Sequence, residues 1–204
     1  MKLEFHFDFG SPNAYLSHLV LPEIESRTGL KFDCIPVLLG GVFKATNNVS
    51  PGISLQGIKN KPEYAALETR RFILEHGIEN YNFNPFFPVN TLQIMRGATY
   101  AKKTDFFDQY VREIYQHMWS EPKKMDDPDV IAKAFDVSGL PGKDIIAAMQ
   151  NPEIKLALIQ NTERSVAMGS FGSPTFYVNE DIYFGKDKLQ DLEKAITLLK
   201  QGVD

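Results

Sequence analysis

The stretch that decides the fold is Leu3-Glu4-Phe5-His6-Phe7-Asp8-Phe9-Gly10-Ser11-Pro12-Asn13-Ala14-Tyr15-Leu16. Bulky apolar side chains alternate with polar ones over residues 3–9, which predicts a strand with one buried face. Gly10 breaks this pattern, Ser11 is typical of a helix N-cap, and Pro12 is typical of the first helical position. Apolar residues then recur at helical spacing as far as Gly29, a common helix stop. The stretch therefore predicts a strand, a tight turn and a helix that starts at Ser11.

The residues that follow complete a strand, helix, strand unit. Residues 30–39 are predicted to form the second strand, and the helical crossover makes it parallel to the first. Residues 40–61 collect Gly, Asn, Ser and Pro without sustained periodicity, which predicts a long loop with a short helix near residues 42–46. Loops of this length in compact domains are usually functional.

The middle of the chain has only helical patterns. The predicted helices span residues 63–77, 92–103, 105–119, 128–136, 143–149 and 152–168. Asp105 and Asp127 are predicted N-caps. After Gly169 the pattern changes to a hairpin of two strands, over 175–178 and 182–184, and a final amphipathic helix over 186–199.

This order predicts an α/β protein with a thioredoxin-like fold. A βαβ unit and a ββα unit form the thioredoxin arrangement, and a large all-helical block is inserted between them. The predicted domains are a discontinuous thioredoxin-like unit, residues 1–62 plus 170–204, and a helical insertion, residues 63–169.

Composition excludes several functional classes. The chain has 204 residues, with 22 Lys and Arg against 26 Asp and Glu, and a net charge of −4 without a basic run, so nucleic acid is not an expected partner. Cys34 alone cannot form an intrachain disulfide, and acidic residues near the start argue against a signal peptide. No uncharged stretch reaches the 18 or so apolar residues that a membrane span needs. We expect a cytoplasmic protein without membrane contact.

The remaining reactive residue types favour structural roles. The four histidines, His6, His18, His76 and His117, lack metal-ligand spacing or a paired carboxylate, so we expect neither a metal site nor a histidine base. Cys34 is expected to be an inert, buried strand residue. The aromatic cluster of Phe83, Phe86 and Phe87 fits packing between the subdomains or the wall of an aromatic substrate pocket.

Four motifs in order resemble one enzyme family. They are Phe-Asp-Phe-Gly-Ser-Pro-x-Ala-Tyr-Leu over residues 7–16, Leu-Leu-Gly-Gly-Val-Phe-Lys over 38–44, Phe-Gly-Ser-Pro over 171–174 and Phe-Gly-Lys-Asp over 184–187. This set is similar to the 2-hydroxychromene-2-carboxylate isomerases, which are relatives of kappa-class glutathione transferases and of DsbA. The resemblance extends from Phe5 to the final helix.

The resemblance implies a thiol site around Ser11. DsbA-like enzymes need two cysteines in the first turn of this helix, but this chain has Ser11 and Ala14 there, so disulfide exchange is impossible. The resemblance implies that glutathione supplies the thiol and that Ser11 is both catalytic and cofactor-binding, donating its hydroxyl hydrogen to the thiolate. The alternative is that Ser11 only caps the helix. A cis Pro174 would let the backbone of Ser173 bind the cysteinyl part of glutathione.

The other site residues are also assigned through the family pattern. Asn48, Lys186 and Asp187 are expected to bind glutathione, with Asp187 on the γ-glutamyl amino group, although Lys186 replaces a serine of the kappa-class pattern. The alternatives are a surface turn for Asn48 and a helix N-cap for Asp187. Lys44 and Asn47 are assigned to the carboxylate of a small aromatic substrate.

The resemblance implies an isomerase that converts 2-hydroxychromene-2-carboxylate to trans-o-hydroxybenzylidenepyruvate by reversible thiolate addition, and it implies a homodimer. Two alternatives remain open at this point. One is a kappa-type transferase or peroxidase, which shares the thiolate site. The other is a redox-dead module that binds a thiol or a peptide.

Overall fold

The computed structural model describes residues 1–202 and contains a four-stranded sheet in the order β2-β1-β3-β4. The strands are β1 (Leu3–Phe7), β2 (Asp33–Pro36), β3 (Thr175–Val178) and β4 (Asp181–Phe184). β1 pairs with β2 in parallel and with β3 antiparallel, and β3 pairs antiparallel with β4. This topology confirms the thioredoxin-like fold. The last two residues of the predicted thioredoxin-like unit lie outside the described residues.

Helices surround the sheet and form the insertion. They are α1 (Pro12–Thr28), α2 (Leu39–Thr46), α3 (Pro51–Ser54), α4 (Lys61–Glu75), α5 (Leu92–Ala101), α6 (Phe107–Tyr115), α7 (Pro128–Val137), α8 (Gly142–Gln150), α9 (Pro152–Ala167) and α10 (Leu189–Lys200). A π-helical turn, Gln116–Ser120, continues α6, and a 3-10 turn, Lys186–Lys188, precedes α10. The six helices predicted between residues 62 and 169 are therefore confirmed as α4 to α9. No helix in residues 1–202 has the length and apolar character that a bilayer span requires.

The region after α1 differs in part from the sequence prediction. β2 is shorter than the predicted strand over residues 30–39, the short helix predicted near residues 42–46 is confirmed as α2, and α3 was not predicted. The N-cap of α2, Leu38, has no capping side chain, but the N–H of Leu39 donates to Asp8 Oδ2 at 2.7 Å. A carboxylate from another element therefore starts this helix, which a local pattern cannot reveal.

One of the two predicted acidic N-caps is wrong. Asp127 caps α7 by accepting from the N–H groups of Asp129 and Val130. Asp105 does not cap α6, because that helix starts after Phe106 and has no capping side chain.

The prediction that β1 has one buried face is wrong. Glu4, His6 and Asp8 on its polar face are 2%, 0% and 1% exposed. Residues of α9 cover this face: Arg164 Nη2 donates to Glu4 Oε2 at 2.6 Å, and Ser165 Oγ lies 2.8 Å from His6 Nδ1. The expectation that His6 lacks a paired carboxylate is wrong as well, because its Nε2 lies 3.0 Å from Glu4 Oε2.

The apolar face of β1 anchors the core. Phe5, Phe7 and Phe9 are fully buried, and Phe7 and Phe9 contact Tyr115 of α6 with ring centroids 5.9 and 4.8 Å apart. One continuous apolar cluster joins the sheet, α1 and the insertion. The insertion is thereby held against the start of α1, where the candidate site lies.

Candidate active site

Ser11 caps α1 and also contacts a second loop. Its Oγ accepts a hydrogen bond from Ala14 N–H at 3.2 Å, as the N-cap prediction requires. Its hydroxyl donates to the carbonyl oxygen of Ser173 at 2.8 Å. The residue is 5% exposed. Ser11 is therefore more than a helix cap, because it joins the helix start to the loop before β3.

That loop contains the predicted cis-proline. The Ser173-Pro174 bond is cis. The hydroxyl of Ser173 accepts from Asp8 N–H at 3.2 Å, while its own N–H donates to no other group within residues 1–202. Ser173 thus has an unused backbone donor beside a carbonyl that already accepts from Ser11. An extended peptide needs a donor and an acceptor of this kind to pair with a chain edge.

The start of α1 has fewer free donors than the sequence suggests. Pro12 has no N–H, and Ala14 N–H is bound to Ser11. The N–H of Asn13 has no acceptor in the part of the chain that the structure describes. One backbone donor of the first turn is therefore available to a ligand.

Asp8 is a residue of this region that the sequence analysis did not select. Its Oδ1 accepts from Gly10 N–H and from Thr91 Oγ1, both at 2.8 Å, and its Oδ2 accepts from Leu39 N–H at 2.7 Å. Burial raises the pKa of this carboxyl, and the three donors act in the opposite direction. An acidic residue two positions before a Gly-Ser-Pro helix start, at the carboxyl end of a strand, is the signal that could have indicated it.

Asn48 lies beside the cis-proline loop. Its Nδ2 donates to the carbonyl oxygen of Phe171 at 2.8 Å, three residues before Pro174. Lys44 and Asn47 are exposed on α2 and at its left-handed C-cap. The structure therefore brings Asn48 to the loop around Ser173, and it places Lys44 and Asn47 on the preceding helix without a contact to Ser11.

Lys186 and Asp187 lie on the other side of Pro174. Gly185 N–H donates to the Pro174 carbonyl oxygen at 3.0 Å, which places the next two residues beside the loop. The Lys186 side chain is 4% exposed, forms an ion pair with Asp187, and holds its Nζ 4.9 Å from the ring centroid of Phe72 on α4. Asp187 does not cap α10, because the N-cap is Lys188. The interpretation of Asp187 as a helix cap is therefore wrong.

A cleft adjoins this ion pair. Its volume is about 200 Å³, and it is bounded by α4, the 3-10 turn and the start of α10. The polar residues that line it are Glu68, Arg71, Glu75, His76, Lys186, Asp187 and Gln190. The cleft can therefore take a small, charged group next to the cis-proline loop.

An aromatic wall, made of Phe83, Phe87 and Trp119, stands near the β1–α1 loop. Trp119 is fully buried in the π-helical turn, and its Nε1 donates to the carbonyl oxygen of Phe9 at 2.7 Å. Its ring centroid lies 5.9 Å from that of Phe83 and 6.2 Å from that of Phe87. Phe83 is 58% exposed. Phe83 and Phe87 therefore pack on the buried Trp119, as the packing interpretation requires, while Phe86 is 48% exposed and the role in a substrate pocket stays a prediction.

The chain offers no reactive thiol of its own here. Cys34 lies in β2, half-buried, and burial raises the pKa of its thiol to about 12, as expected for an inert strand residue. Within residues 1–202 no three His, Cys, Asp or Glu side chains come together as a metal site would need.

A family model for the DSBA-like thioredoxin domain matches residues 2–197. The chain belongs to this family. It is 25% identical over 200 residues to a 2-hydroxychromene-2-carboxylate isomerase of Sphingobium xenophagum, which covers 95% of this chain and 97% of that protein. It is 22% identical over 206 residues to glutathione S-transferase kappa 1 of Homo sapiens, with 92% and 87% covered.

The fold agrees with the same group. A solved structure of a 2-hydroxychromene-2-carboxylate isomerase matches with a TM-score of 0.83 at 24% identity, over 99% of this chain and 97% of that one. The resemblance that the four motifs indicated is confirmed. The relatives are isomerases and glutathione transferases, so the chain lies in a DsbA-like group of glutathione-related and isomerase enzymes.

Proposed function

We propose that the chain is a glutathione-dependent isomerase that converts 2-hydroxychromene-2-carboxylate, or a similar aromatic-degradation intermediate, to its trans-o-hydroxybenzylidenepyruvate form. The observation that carries the proposal is the hydrogen bond of 2.8 Å from Ser11 Oγ to the carbonyl of Ser173, next to the cis Pro174. In this position a DsbA-like enzyme has its own cysteine, whereas this chain has a hydroxyl that can bind the sulfur of a separate peptide.

The backbone of Ser173 and the hydroxyl of Ser11 act together in this proposal. A cysteinyl peptide that pairs with Ser173 would donate its N–H to the Ser173 carbonyl and accept from the Ser173 N–H. It would then replace Ser11 as donor to that carbonyl. The Ser11 hydroxyl, whose Oγ stays bound to Ala14 N–H at 3.2 Å, becomes free to turn its hydrogen toward the sulfur. Peptide binding thereby releases the group that stabilises the thiolate.

The available interactions are large enough. Lowering a thiol pKa from roughly 8.5 to about 6.5 takes about 2.7 kcal/mol of preferential thiolate stabilisation. A charge-assisted hydrogen bond contributes about 1.5 to 3 kcal/mol, and a helix N-terminus contributes up to ~2 kcal/mol in a buried setting. Ser11 supplies the first, and the free N–H of Asn13 belongs to the second.

Lys186 and Asp187 match the zwitterionic head of a γ-glutamyl group. In this proposal Asp187 binds the ammonium of the γ-glutamyl group and Lys186 binds its carboxylate. The ion pair between Lys186 and Asp187 is then replaced by one ion pair from each residue to the ligand. The face of Phe72, 4.9 Å from Lys186 Nζ, keeps the lysine in place. This gives the lysine a role that a serine at this position could fill only by a hydrogen bond.

The substrate would lie between α2 and the aromatic wall. Lys44 and Asn47 would bind its carboxylate, and Phe83 and Phe87 would contact its ring. Glutathione, held by Ser11, Ser173, Lys186 and Asp187, would supply a nucleophilic thiolate for reversible addition to the conjugated double bond of the ring-opened substrate, which would allow rotation about that bond before the thiolate is eliminated. The residues of the chain hold the partners close and keep the sulfur charged.

Ser11→Ala tests the proposal. The ultraviolet absorbance of thiolate, measured as glutathione is titrated across pH, should show a bound-thiol pKa about one to two pH units higher than in the unmodified protein. Loss of the cap lowers stability by about 1 kcal/mol, so the fold persists. Ser165→Ala removes another buried hydroxyl, on α9, and should leave this pKa unchanged. If Ser11→Ala turned over substrate at pH 6 to 7 as fast as the unmodified protein, this result would contradict the proposal.

Asp187→Asn and Lys186→Met test the head-group contacts. Each should weaken glutathione binding roughly tenfold to hundredfold in calorimetry, with little effect on the rate of the bound complex. Asp191→Asn, an exposed acid one helical turn away on α10, is the matched control. Unchanged affinity in the first two variants would remove the pair from the site.

A kappa-type transferase or peroxidase is the second candidate, favoured by the match to glutathione S-transferase kappa 1. It predicts the same thiolate but a different acceptor. Turnover of a chlorinated aromatic compound or a hydroperoxide, without isomerisation of 2-hydroxychromene-2-carboxylate, would select it. Tight glutathione binding with an unshifted thiol pKa would instead indicate a binding module without catalysis.

A further inference from the structure

Asp8 is a buried carboxyl group without a cationic partner. It is 1% exposed, and no Lys, Arg or His of residues 1–202 forms an ion pair with it. The groups that face it are Gly10 N–H from the β1–α1 loop, Leu39 N–H from α2 and the Thr91 hydroxyl at the start of α5. Tyr115 of α6 is the titratable group near it, and burial holds the pKa of that phenol far above neutrality. Neutral dipoles alone therefore surround the carboxyl group.

These dipoles suit the ionised form. Each carboxyl oxygen accepts from a backbone N–H, at 2.8 Å on Oδ1 and 2.7 Å on Oδ2, and N–H groups can only donate. The hydroxyl of Thr91 adds a third donor at 2.8 Å. A carboxylate that accepts two or three such bonds is stabilised against protonation, in opposition to the effect of burial.

The carboxylate lies directly under the loop that presents Ser11. Ser11 N–H donates to the Asp8 carbonyl at 3.1 Å, and the Gly10 N–H between them donates to the carboxylate. A Cβ on Gly10 would lie 3.2 Å from both Asp8 Oδ1 and Thr91 Cγ2, so the loop packs tightly on the acid. Within residues 1–202 no cation pairs with this carboxyl group, so in its ionised form its charge would repel an anion bound at Ser11.

We propose that Asp8 is a buried negative charge that repels a thiolate held at Ser11 and so keeps this thiolate from being over-stabilised. The helix start and the Ser11 hydroxyl lower the pKa of a thiol, while the fixed negative charge beneath the loop raises it. A thiolate loses nucleophilicity as its pKa falls, and an attacking thiol works best with a pKa near the ambient pH. Asp8 therefore does not contact the substrate; it acts indirectly, as a positioning residue whose charge tunes the nucleophilicity of the bound sulfur.

The experiment places a thiol in the chain itself, so it does not depend on glutathione. Ser11→Cys introduces a thiol whose pH midpoint is read from iodoacetamide alkylation rates; Cys34 does not interfere, because burial raises the pKa of its thiol to about 12. Adding Asp8→Asn should lower the midpoint by roughly half a pH unit or more and reduce the plateau rate at high pH. Adding Glu4→Gln, the same change at the other buried carboxylate of β1, should leave both unchanged. A midpoint that stays or rises with Asp8→Asn would overturn the proposal.

A second measurement uses the unmodified protein and needs no substitution. The ¹³C shift of the Asp8 carboxyl, followed by NMR in the unmodified protein, should report the ionised form at pH 7, and a protonated Asp8 at that pH would overturn the inference. The inference rests on the proposed function only in placing a thiol at Ser11. If the unmodified protein fails to bind glutathione, the proposed function fails, whereas the Ser11→Cys titration still decides the role of Asp8.

Discussion

Glu4 in β1 and Asp8, the residue directly after β1, are buried carboxyl groups in opposite surroundings. At the amino end, Glu4 accepts from Arg164 at 2.6 Å and lies 2.7 Å from Lys2 Nζ and 3.0 Å from His6. Burial acts to raise its pKa, but these hydrogen bonds outweigh burial and lower the pKa to about 2. At the carboxyl end, Asp8 has only neutral donors, and burial raises its pKa.

This difference suggests that Glu4 serves the stability of the fold and that Asp8 serves the candidate site. Glu4 ties α9 to the sheet, and its charge is cancelled locally by cations. Asp8 ties α2, α5 and the Ser11 loop together, and within residues 1–202 no Lys, Arg or His pairs with its carboxyl group, which lies at the end of the sheet where α/β sites collect. Burying a carboxyl group such as Asp8 without a cationic partner lowers stability. Such a group is typical of a functional site.

Glu4→Gln should give the largest effect, and it should be confined to stability. The variant leaves Arg164 and Lys2 without their partner, and breaking a buried pair costs about 3 to 5 kcal/mol when both groups are buried. Because Arg164 is 38% and Lys2 65% exposed, we expect a loss of about 2 to 3 kcal/mol in urea unfolding. Glutathione thiolate absorbance should not change. A loss below about 0.5 kcal/mol, or a shifted thiol pKa, would break the contrast between the two ends.

The contribution of Glu4 to stability should also depend on pH. The pKa of Glu4 is about 2 in the folded protein against 4.5 as the ordinary value, so the stability it contributes is complete above about pH 5 and is lost as the pH falls toward 2. The loss amounts to up to about 3 kcal/mol, measured by urea unfolding at successive pH values. The difference between the unmodified protein and Glu4→Gln should shrink over this window. A constant difference from pH 5 to 2 would show that the charge of Glu4 does not stabilise the fold.

Gly10→Ala sharpens the comparison at the carboxyl end. The new methyl group would meet Asp8 and Thr91 at 3.2 Å each, so the loop must shift, and we expect a loss of about 1 to 2 kcal/mol together with a slower bound-thiol reaction. Gly40→Ala is the control, because nothing lies within 4 Å of its Cβ and it lies in α2. That variant should gain up to about 1 kcal/mol. Equal behaviour of the two variants would show that the packing of Gly10 on Asp8 is unimportant.

Lys44→Ala should give the smallest effect, since this charge is exposed where Asp8 and Glu4 are buried. Glutathione affinity should stay constant while the substrate KM rises a few-fold, because an exposed charge contributes little binding energy. Lys133→Ala on α7 removes an exposed charge of the insertion and serves as control. Kinetics of Lys44→Ala identical to the unmodified protein at low salt would exclude Lys44 from the site.

Local patterns predicted those elements whose signals lie within a few residues. Ser11 and Pro12 mark the start of α1, and Gly29 ends it in the left-handed conformation at φ 71°. The strand 175–178 was predicted with the bounds that β3 has. The cis bond before Pro174 followed from the family resemblance, since a Ser-Pro pair alone favours trans.

The surroundings of Asp8 and His6 could not be predicted from the sequence. The alternation in residues 3–9 is the same whether the polar face of a strand meets water or a helix, and α9 supplies Arg164 and Ser165 from about 160 residues further along the chain. The contact of Lys186 with Phe72 likewise joins segments more than a hundred residues apart. Such pairings leave no local periodicity.

Neighbouring residues and composition were enough to predict the four strands, the helices other than α3, the N-cap of α1 and the lack of a cysteine at position 11. Only the tertiary structure decided that Glu4 is paired, that Asp8 is not, and that the hydroxyl of Ser11 faces the Ser173 carbonyl at 2.8 Å. The physical reason is that burial and electrostatics depend on which surfaces meet. That is settled when α9, α5 and the cis-proline loop pack on one strand.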